Sequence, residues 1–469
     1  MTRVPSRFVF WMTRKFFIAI VRANRWLRVR FTPVGRLLLC ALVAVGLFAL
    51  NPRATLAYQL ALLIFAVLFA AMLWAPAFRP RYSARRKLPM FATVGVPLEY
   101  TLEIENHKQR QLFGLEAVDE PPRVTSKQTM HHARAQRSSV QTDRRWWMPR
   151  VVGYLNFVLT LRSLEGVQCE AAAIAQLAAQ TITRVPMRFT PTRRGYLRLS
   201  KLRLTRTDPL GVFRAVVRVM VEDQLLVLPK RYRMSWNSAG SSTRNGQQGL
   251  SRSRVAGSGA DFARLREYRP RDPLRHIHWR AWARLGAPVV KVFHEESPSR
   301  NALVLDVCVP ALVMSNTFEE AVCVAASFVT ESGWCSGQLD LLAVGQNMVH
   351  TSRGSEGAAT ARMLEALACV REVREGDFST FTQDLTRPLG RFSTCVLVLL
   401  DLDPPRLKLV RELQQAQINT LVLLVSTQPQ EHAIAAARSL PEPEQVRVMH
   451  PQDIARAFAR LSAASGSGG

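Results

Sequence analysis

The sequence predicts a multidomain, membrane-anchored chain: an α-helical transmembrane hairpin, then an antiparallel β-sandwich, then a doubly wound α/β domain. Three observations predict it. Two apolar runs, Leu37 to Leu50 and Ala54 to Phe78, lie between dense arginine clusters. From Val94 the pattern changes to strict alternation of apolar and polar residues, and beyond Asn301 strand-like and helix-like stretches take turns. With 469 residues the chain is long enough for two or three domains, and its 48% hydrophobic content is ample for packed cores.

The hairpin is read from charge as much as from hydropathy. The net charge is +28, which brings nucleic acid, anionic lipid and acidic protein into consideration as partners. No Asp or Glu precedes Glu99, whereas Arg3, Arg7, Arg14, Lys15, Arg22, Arg25, Arg28, Arg30 and Arg36 crowd residues 1–36. The second run exceeds the roughly 20 residues that a helix needs to cross hydrocarbon. The first is slightly short, a gap that snorkelling by Arg36 and Arg53 closes. Asn51-Pro52-Arg53 leaves room only for a turn, so residues 37–78 are expected to form a two-helix hairpin. Arg79, Arg81, Arg85, Arg86 and Lys87 follow it, and the positive-inside rule then puts both termini and the soluble domains in the cytoplasm, at the inner (plasma) membrane. The long basic region without a small-residue cleavage pattern argues against a signal peptide. Phe8 to Val21 mixes aromatics with Arg14 and Lys15 and suits either flat contact with anionic membrane lipids or a basic tail. Seven cysteines without a Cys-x-x-Cys pair fit a reducing compartment.

Residues 88–234 are expected to form the sandwich. Leu98, Tyr100, Leu102 and Ile104 alternate with Glu99, Thr101, Glu103 and Glu105, and further strand-like runs cover Tyr154 to Arg162, Thr181 to Phe189, Tyr196 to Thr205, Phe213 to Val221 and Gln224 to Leu228. Pro121 to Trp147 reads as a long loop or insertion, and residues 235–260 as a flexible Ser/Gly-rich loop. Residues 301–462 alternate strands near 302–307, 339–344, 394–400, 420–425 and 446–449 with helices near 318–330, 360–370, 406–416 and 432–440, and with a last helix from Asp453. Apolar spacing such as Val322, Ala325, Ala326, Val329 supports the helices, and the alternation implies a mainly parallel sheet. Residues 463–469 read as a flexible tail.

Residues 261–300 sit between these domains and hold aromatic rings among alternating charges. The order Leu265-Arg266-Glu267-Tyr268, Asp272, Arg275, Ile277, Trp279, Ala283-Arg284 resembles the signature of the bacterial family called domain of unknown function fifty-eight. Arg194-Gly195-Tyr196, then Asp208-Pro209-Leu210-Gly211-Val212-Phe213, resembles the family's upstream motif. The chain has Arg271-Asp272 where the family usually has Gly-Asp, and Trp282 where it has a small residue. The resemblance implies a non-enzymatic adaptor or assembly factor working with a MoxR-type AAA+ ATPase. The strand order beyond Asn301, with Asp306 ending the first strand, resembles a von Willebrand factor A domain, as the family's C-terminal portion does.

Catalytic chemistry finds little support. An A-type domain binds a divalent cation through Asp-x-Ser-x-Ser, and here those positions are Asp306, Cys308 and Pro310, which offer too few oxygens. Asp306 and Asp401 are the metal candidates, Asp401 and Asp403 ending another strand that could face the same crevice; no metal and no cofactor is expected. The alternative for these acids is capping of helix N-termini. His276 and His278 lie two apart, as on one face of a strand, without the further ligands that zinc needs. Glu267 and Asp272 are a possible acid–base pair, but surrounding arginines favour an ion-pair network. Gly257-Ser258-Gly259 lacks a Walker lysine, and Gly-x-Ser-x-Gly does not occur. Arg266, Glu267, Tyr268, Asp272, Arg275, His278, Trp279 and Arg284 are therefore expected to form a partner-binding or inter-domain segment. A hydrolase using Glu267, Asp272 and His278 is one alternative. A membrane-tethered nucleic-acid binder, with Tyr268, Trp279 and Trp282 stacking on bases, is the other, and it weakens because topology accounts for much of the charge.

Overall fold

A computed structural model describes residues 7–49, 55–75, 78, 81–121, 166–233, 252–270, 272, 274–296, 300–310, 315–331, 338–344, 349–352, 358–373, 378–379, 392, 394–427 and 430–459. The expected turn at Asn51-Pro52-Arg53, the strand at Tyr154 to Arg162, the insertion beyond Pro121 and the tail 463–469 lie outside these residues. The chain falls into two compact units, Met1–Leu228 and Pro229–Gly469.

The first unit opens with three helices, α1 (Arg7–Arg30), α2 (Pro33–Ala49) and α3 (Thr55–Trp74). Within α3, Leu56–Trp74 is long and apolar enough to cross a membrane, with mean hydropathy 2.4, and Pro33–Leu47 is a shorter apolar helix. Thr32 separates α1 from α2: its Oγ1 accepts from the Gly35 N–H at 3.1 Å, an N-cap with Pro33 in the first turn. The same Thr32 donates through its hydroxyl to the Gly211 carbonyl at 2.6 Å and through its N–H to the Val212 carbonyl at 3.1 Å. Only glycine fits at position 35, because a Cβ there would lie 2.1 Å from the Val212 oxygen. Asp208 shapes the facing turn by accepting from the N–H groups of Val212 and Phe213 at 2.7 and 2.8 Å. Phe31, Leu68, Ala71, Val212 and Phe213 close this joint as one apolar cluster.

Nine strands follow among the described residues: β1 (Tyr82–Lys87), β2 (Phe91–Thr93), β3 (Leu98–Asn106), β4 (Leu112–Glu120), β5 (Val167–Cys169), β6 (Ala172–Leu177), β7 (Ile182–Pro191), β8 (Gly195–Thr207) and β9 (Arg214–Leu228). They form a four-stranded sheet, β1-β3-β7-β5, and a five-stranded sheet, β2-β9-β8-β4-β6. All pairs are antiparallel except β2 with β9. On β3 the alternation holds: Tyr100, Leu102 and Ile104 are buried. The two expected strands around Glu222 are one, because β9 runs through Glu222-Asp223 and a bulge between Leu199 and Lys201 on β8 absorbs the irregularity.

Arg86 departs most from the sequence reading. It was expected to be one of the basic residues flanking the hairpin, yet it lies inside the sandwich, fully buried. Its Nη2 donates to Asp119 on β4 at 2.7 Å, and its Nη1 to Asp223 and the Val221 carbonyl on β9 at 2.9 and 2.7 Å. Tyr100 donates to the other Asp119 oxygen. Burial works against the charge, but the bonds to Asp119 and Asp223 more than offset it and hold Arg86 above its ordinary pKa.

In the second unit, β12 (Arg300–Asp306), β13 (Gln338–Val344), β14 (Val349–Ser352), β15 (Thr394–Leu399), β16 (Asn419–Val425) and β17 (Val446–Met449) form one sheet in the order β14-β13-β12-β15-β16-β17. It is parallel except for the β14 edge. Helices α5 (Ser315–Thr330), α6 (Ala358–Cys369), α7 (Pro404–Gln415) and α8 (Gln430–Ala437) alternate with the strands, and residues 454–459 are helical. Ala302 through Val309 are all buried, as are Cys395 through Leu400, the mark of strands covered on both faces. Tyr232 belongs to this unit: its N–H donates to Ser327 Oγ at 2.9 Å and its hydroxyl to Glu320 at 2.7 Å.

Removing one partner of a buried ion pair leaves the other charge uncompensated, at a cost of about 3–5 kcal/mol. Arg86→Ala should therefore lower the stability of the chain by about that much in equilibrium denaturation. A loss within measurement error would show that the two sheets hold together without the guanidinium.

Candidate functional site

The signature segment folds as a strand, a helical connection and a returning strand. Strand β10 (Arg252–Glu267) pairs antiparallel with β11 (Val289–Glu296), so residues 252–259, expected as flexible loop, begin a strand. Between them lie a 3-10 turn, Leu274–His276, and the helix α4 (Trp279–Leu285). Ile277, Val289 and Val290 supply the buried side of this connection.

The histidines do not share a strand face. His276 ends the 3-10 turn, and His278 caps α4, its Nδ1 accepting from the Ala281 N–H at 3.0 Å. Gly286, at φ 70°, closes the other end, its N–H donating to the Trp282 carbonyl at 2.9 Å. The seven-residue helix is thus fixed at both ends.

Arg266 and Asp272 form a bidentate pair, Nη1 and Nη2 donating at 2.7 and 2.6 Å. The Arg269 N–H adds a third bond to Asp272 at 2.8 Å. Arg266 first, and then that N–H, hold the Asp272 carboxyl below the usual carboxylate range. Glu267 is exposed at the end of β10, and the Tyr268 N–H donates to the Pro288 carbonyl at 2.9 Å. Among the described residues, no hydrogen bond joins Glu267, Asp272 and His278, so the structure does not bring these three together as a catalytic set.

Trp279 projects outward. It is 63% exposed and stacks on Trp282, ring centroids 5.3 Å apart at 21°. Leu274 is equally exposed at 65%, and Arg269, Arg275, Arg280 and Arg284, near the pair in sequence, are exposed as well. The short capped helix therefore presents a rigid aromatic ledge with a cationic rim, a composition suited to recognition.

A second constellation lies at the carboxyl ends of the strands, where β12 and β15 are neighbours and the strand order reverses. In open α/β sheets this position is the usual ligand crevice. Here Asp306 is fully buried and Arg406 fills its surroundings. Arg406 Nε donates to Asp306 at 2.7 Å, Nη1 to Asp403 at 2.5 Å and Nη2 to the Cys308 carbonyl at 2.6 Å. The Cys308 N–H takes the other Asp306 oxygen at 2.9 Å, and the guanidinium carbon lies 4.5 Å from the Phe378 ring centre. Burial opposes the charge on Arg406, but Asp306 and Asp403 more than offset it and hold it above its ordinary pKa.

Of the two metal candidates, Asp306 is thus engaged by a protein cation, while Asp401 accepts from the Leu402 N–H at 2.8 Å. Asp403 caps α7 through the Arg406 N–H at 3.2 Å. Among the described residues no group of three His, Cys, Asp or Glu side chains is placed to hold a metal. Sequence reasoning missed Arg406, whose partner Asp306 is 100 positions away.

Calorimetry with Mg²⁺ or Mn²⁺ should accordingly show no specific binding to the chain, because a cation already occupies the carboxylate. Arg406→Ala should cost about 3–5 kcal/mol in stability, the usual penalty for orphaning a buried charge. Micromolar Mg²⁺ binding that Asp306→Ala abolishes would refute the assignment.

Comparison with other proteins adds the following. No curated protein matches the chain. Among solved structures, a PapD-like domain of human CEP192 is 14% identical, covering 31% of this chain and 85% of that one, with a TM-score of 0.15. The GH20 exo-β-N-acetylglucosaminidase from Vibrio harveyi is 8% identical, covering 79% and 81%, with a TM-score of 0.13. Likenesses this slight decide nothing about fold or activity. The signature segment and the α/β fold after it are different: residues 264–461 match the model of the family described as protein of unknown function DUF58.

Proposed function

We propose that the chain is a non-enzymatic inner-membrane adaptor or assembly factor that docks a MoxR-type AAA+ ATPase through its signature segment. The observation that carries this reading is the exposed Trp279, stacked on a half-buried Trp282, on a helix capped at both ends. A large aromatic left in water on a rigid element stabilises little in the free chain, whereas at the centre of an interface it is the residue type that dominates binding. The rim of Arg275, Arg280 and Arg284 suits an acidic partner surface. Hydrolysis by Glu267, Asp272 and His278 is disfavoured, since Asp272 is saturated by Arg266 and His278 caps a helix.

The α/β unit is read as von Willebrand factor A-like, with Arg406 standing where such a domain would hold its cation. The strand order and the position of Asp306 support this. The hairpin reading rests on the apolar length of α3, on the shorter apolar α2, and on arginines at both outer flanks. Both termini are then cytoplasmic.

Reporter fusions after Phe78 and at the C-terminus should both report cytoplasm; a periplasmic C-terminal signal would overturn the topology. Trp279→Ala should change stability by less than about 1 kcal/mol, since the ring is mostly exposed. It should nonetheless weaken capture of the ATPase about thirtyfold, the scale of a hot-spot loss of about 2 kcal/mol. Unchanged capture by Trp279→Ala together with Arg275→Ala and Arg284→Ala would remove the docking assignment.

A further inference from the structure

The outer face of the β8–β9 pair carries more positive charge than its fold can use. Arg203 stands directly opposite Arg218 in the ladder, a position where like charges repel. Helix α1 is in contact with β9, and its last turns bring in Arg25 and Arg30. Burial lowers the pKa of Arg30, and Arg218 adds to the effect. Burial also lowers that of Arg203; Glu120 and Glu116 pull the other way, while Arg218 and Arg25 reinforce the fall.

Two carboxylates answer these arginines and Arg214. Glu120 accepts from Arg218 Nε at 2.7 Å and lies 3.9 Å from Arg203, and Glu116 lies 3.9 Å from Arg214. Among the described residues Arg203, Arg214 and Arg218 thus share Glu116 and Glu120, with Arg30 close to Arg218. The Nε atoms of Arg203 and Arg214 are buried and donate to no acceptor among the described residues. A buried donor without an acceptor is costly, and donors on several guanidiniums call for a compact anion with several oxygens.

The depth of the cluster narrows the anion further. Arg30 and Arg214 are the chain neighbours of Phe31 and Phe213, whose rings meet edge to face at 5.1 Å. Those rings pack with Leu68 and Ala71 of the apolar helix α3. On the membrane reading proposed above, on which this rests, the arginines lie one residue from the apolar belt, at headgroup level. We infer that the arginine cluster where the end of α1 meets the outer face of β8–β9 binds the phosphate of an anionic lipid headgroup through Arg30, Arg203, Arg214 and Arg218.

The test is native mass spectrometry of the full chain released from nanodiscs containing equal phosphatidylglycerol and phosphatidylcholine. The wild-type chain should retain phosphatidylglycerol in preference, and Arg203→Gln with Arg214→Gln should reduce that preference about tenfold, the scale of one lost charge-assisted bond. Arg218→Gln alters a side chain 43% exposed and so spares the fold; it should shift the preference in the same direction. Equal retention of both lipids, or a preference untouched by all three substitutions, overturns the inference. So does inorganic phosphate that binds the detergent-solubilised chain and displaces phosphatidylglycerol, which would assign the cluster to free phosphate. Alkaline carbonate extraction separates the two readings: a chain that stays in the membrane without lipid preference refutes only the site, and a chain that washes off refutes the membrane reading and the site with it.

Discussion

A guanidinium taken out of water has to be met by carboxylates and carbonyls on every side, and that requirement organises each unit of this chain. In the first, Arg86 on β1 of one sheet is bonded to Asp119, Asp223 and the Val221 carbonyl on β4 and β9 of the other. Sliding either sheet by one residue would bury an unanswered charge, so the network fixes the sandwich in register as well as holding it shut. In the second, Arg406 ties the ends of β12 and α7 by the same logic, through Asp306, Asp403 and the Cys308 carbonyl.

The second tie has a bearing on function. The crevice at the strand ends is where an open α/β sheet normally receives a ligand from outside, and this chain receives one of its own side chains there. On the proposed reading, recognition falls to α4 instead. Its helix is closed by the His278 side chain at one end and by the Gly286 N–H at the other, so on that reading little backbone freedom would remain to be lost on docking.

Much of this was legible in the sequence wherever one face of an element is buried. The alternation from Leu98 to Ile104 marks β3, and Val322, Ala325, Ala326 and Val329 mark α5, because burial imposes the period of the backbone on the residues. Strands with a weak imprint escape the sequence: β1 (Tyr82–Lys87) places an arginine inside, and half of β6 (Ala172–Leu177) is alanine. The family signature was readable at Arg266 to Arg284, but its conformation was not. A two-residue spacing between His276 and His278 suits a strand equally well until the Ala281 N–H claims the second histidine. Arg86 and Arg406 escaped for a shared reason. Local sequence says that an arginine is charged, and only partners 33 and 100 positions away say that it is inside.

The joint at Thr32 has a consequence in time. Its hydroxyl and N–H are answered by Gly211 and Val212, about 180 positions later in the chain. At synthesis rates of about 5–20 residues per second, the elbow between α1 and α2 emerges roughly 10–40 s before the turn that locks it. During that interval the Val212 carbonyl that admits only glycine at position 35 has yet to be made. The contacts that set the angle of α1 and α2 to the sandwich can therefore form only afterwards, when Asp208 has folded its turn and Phe213 closes on Phe31.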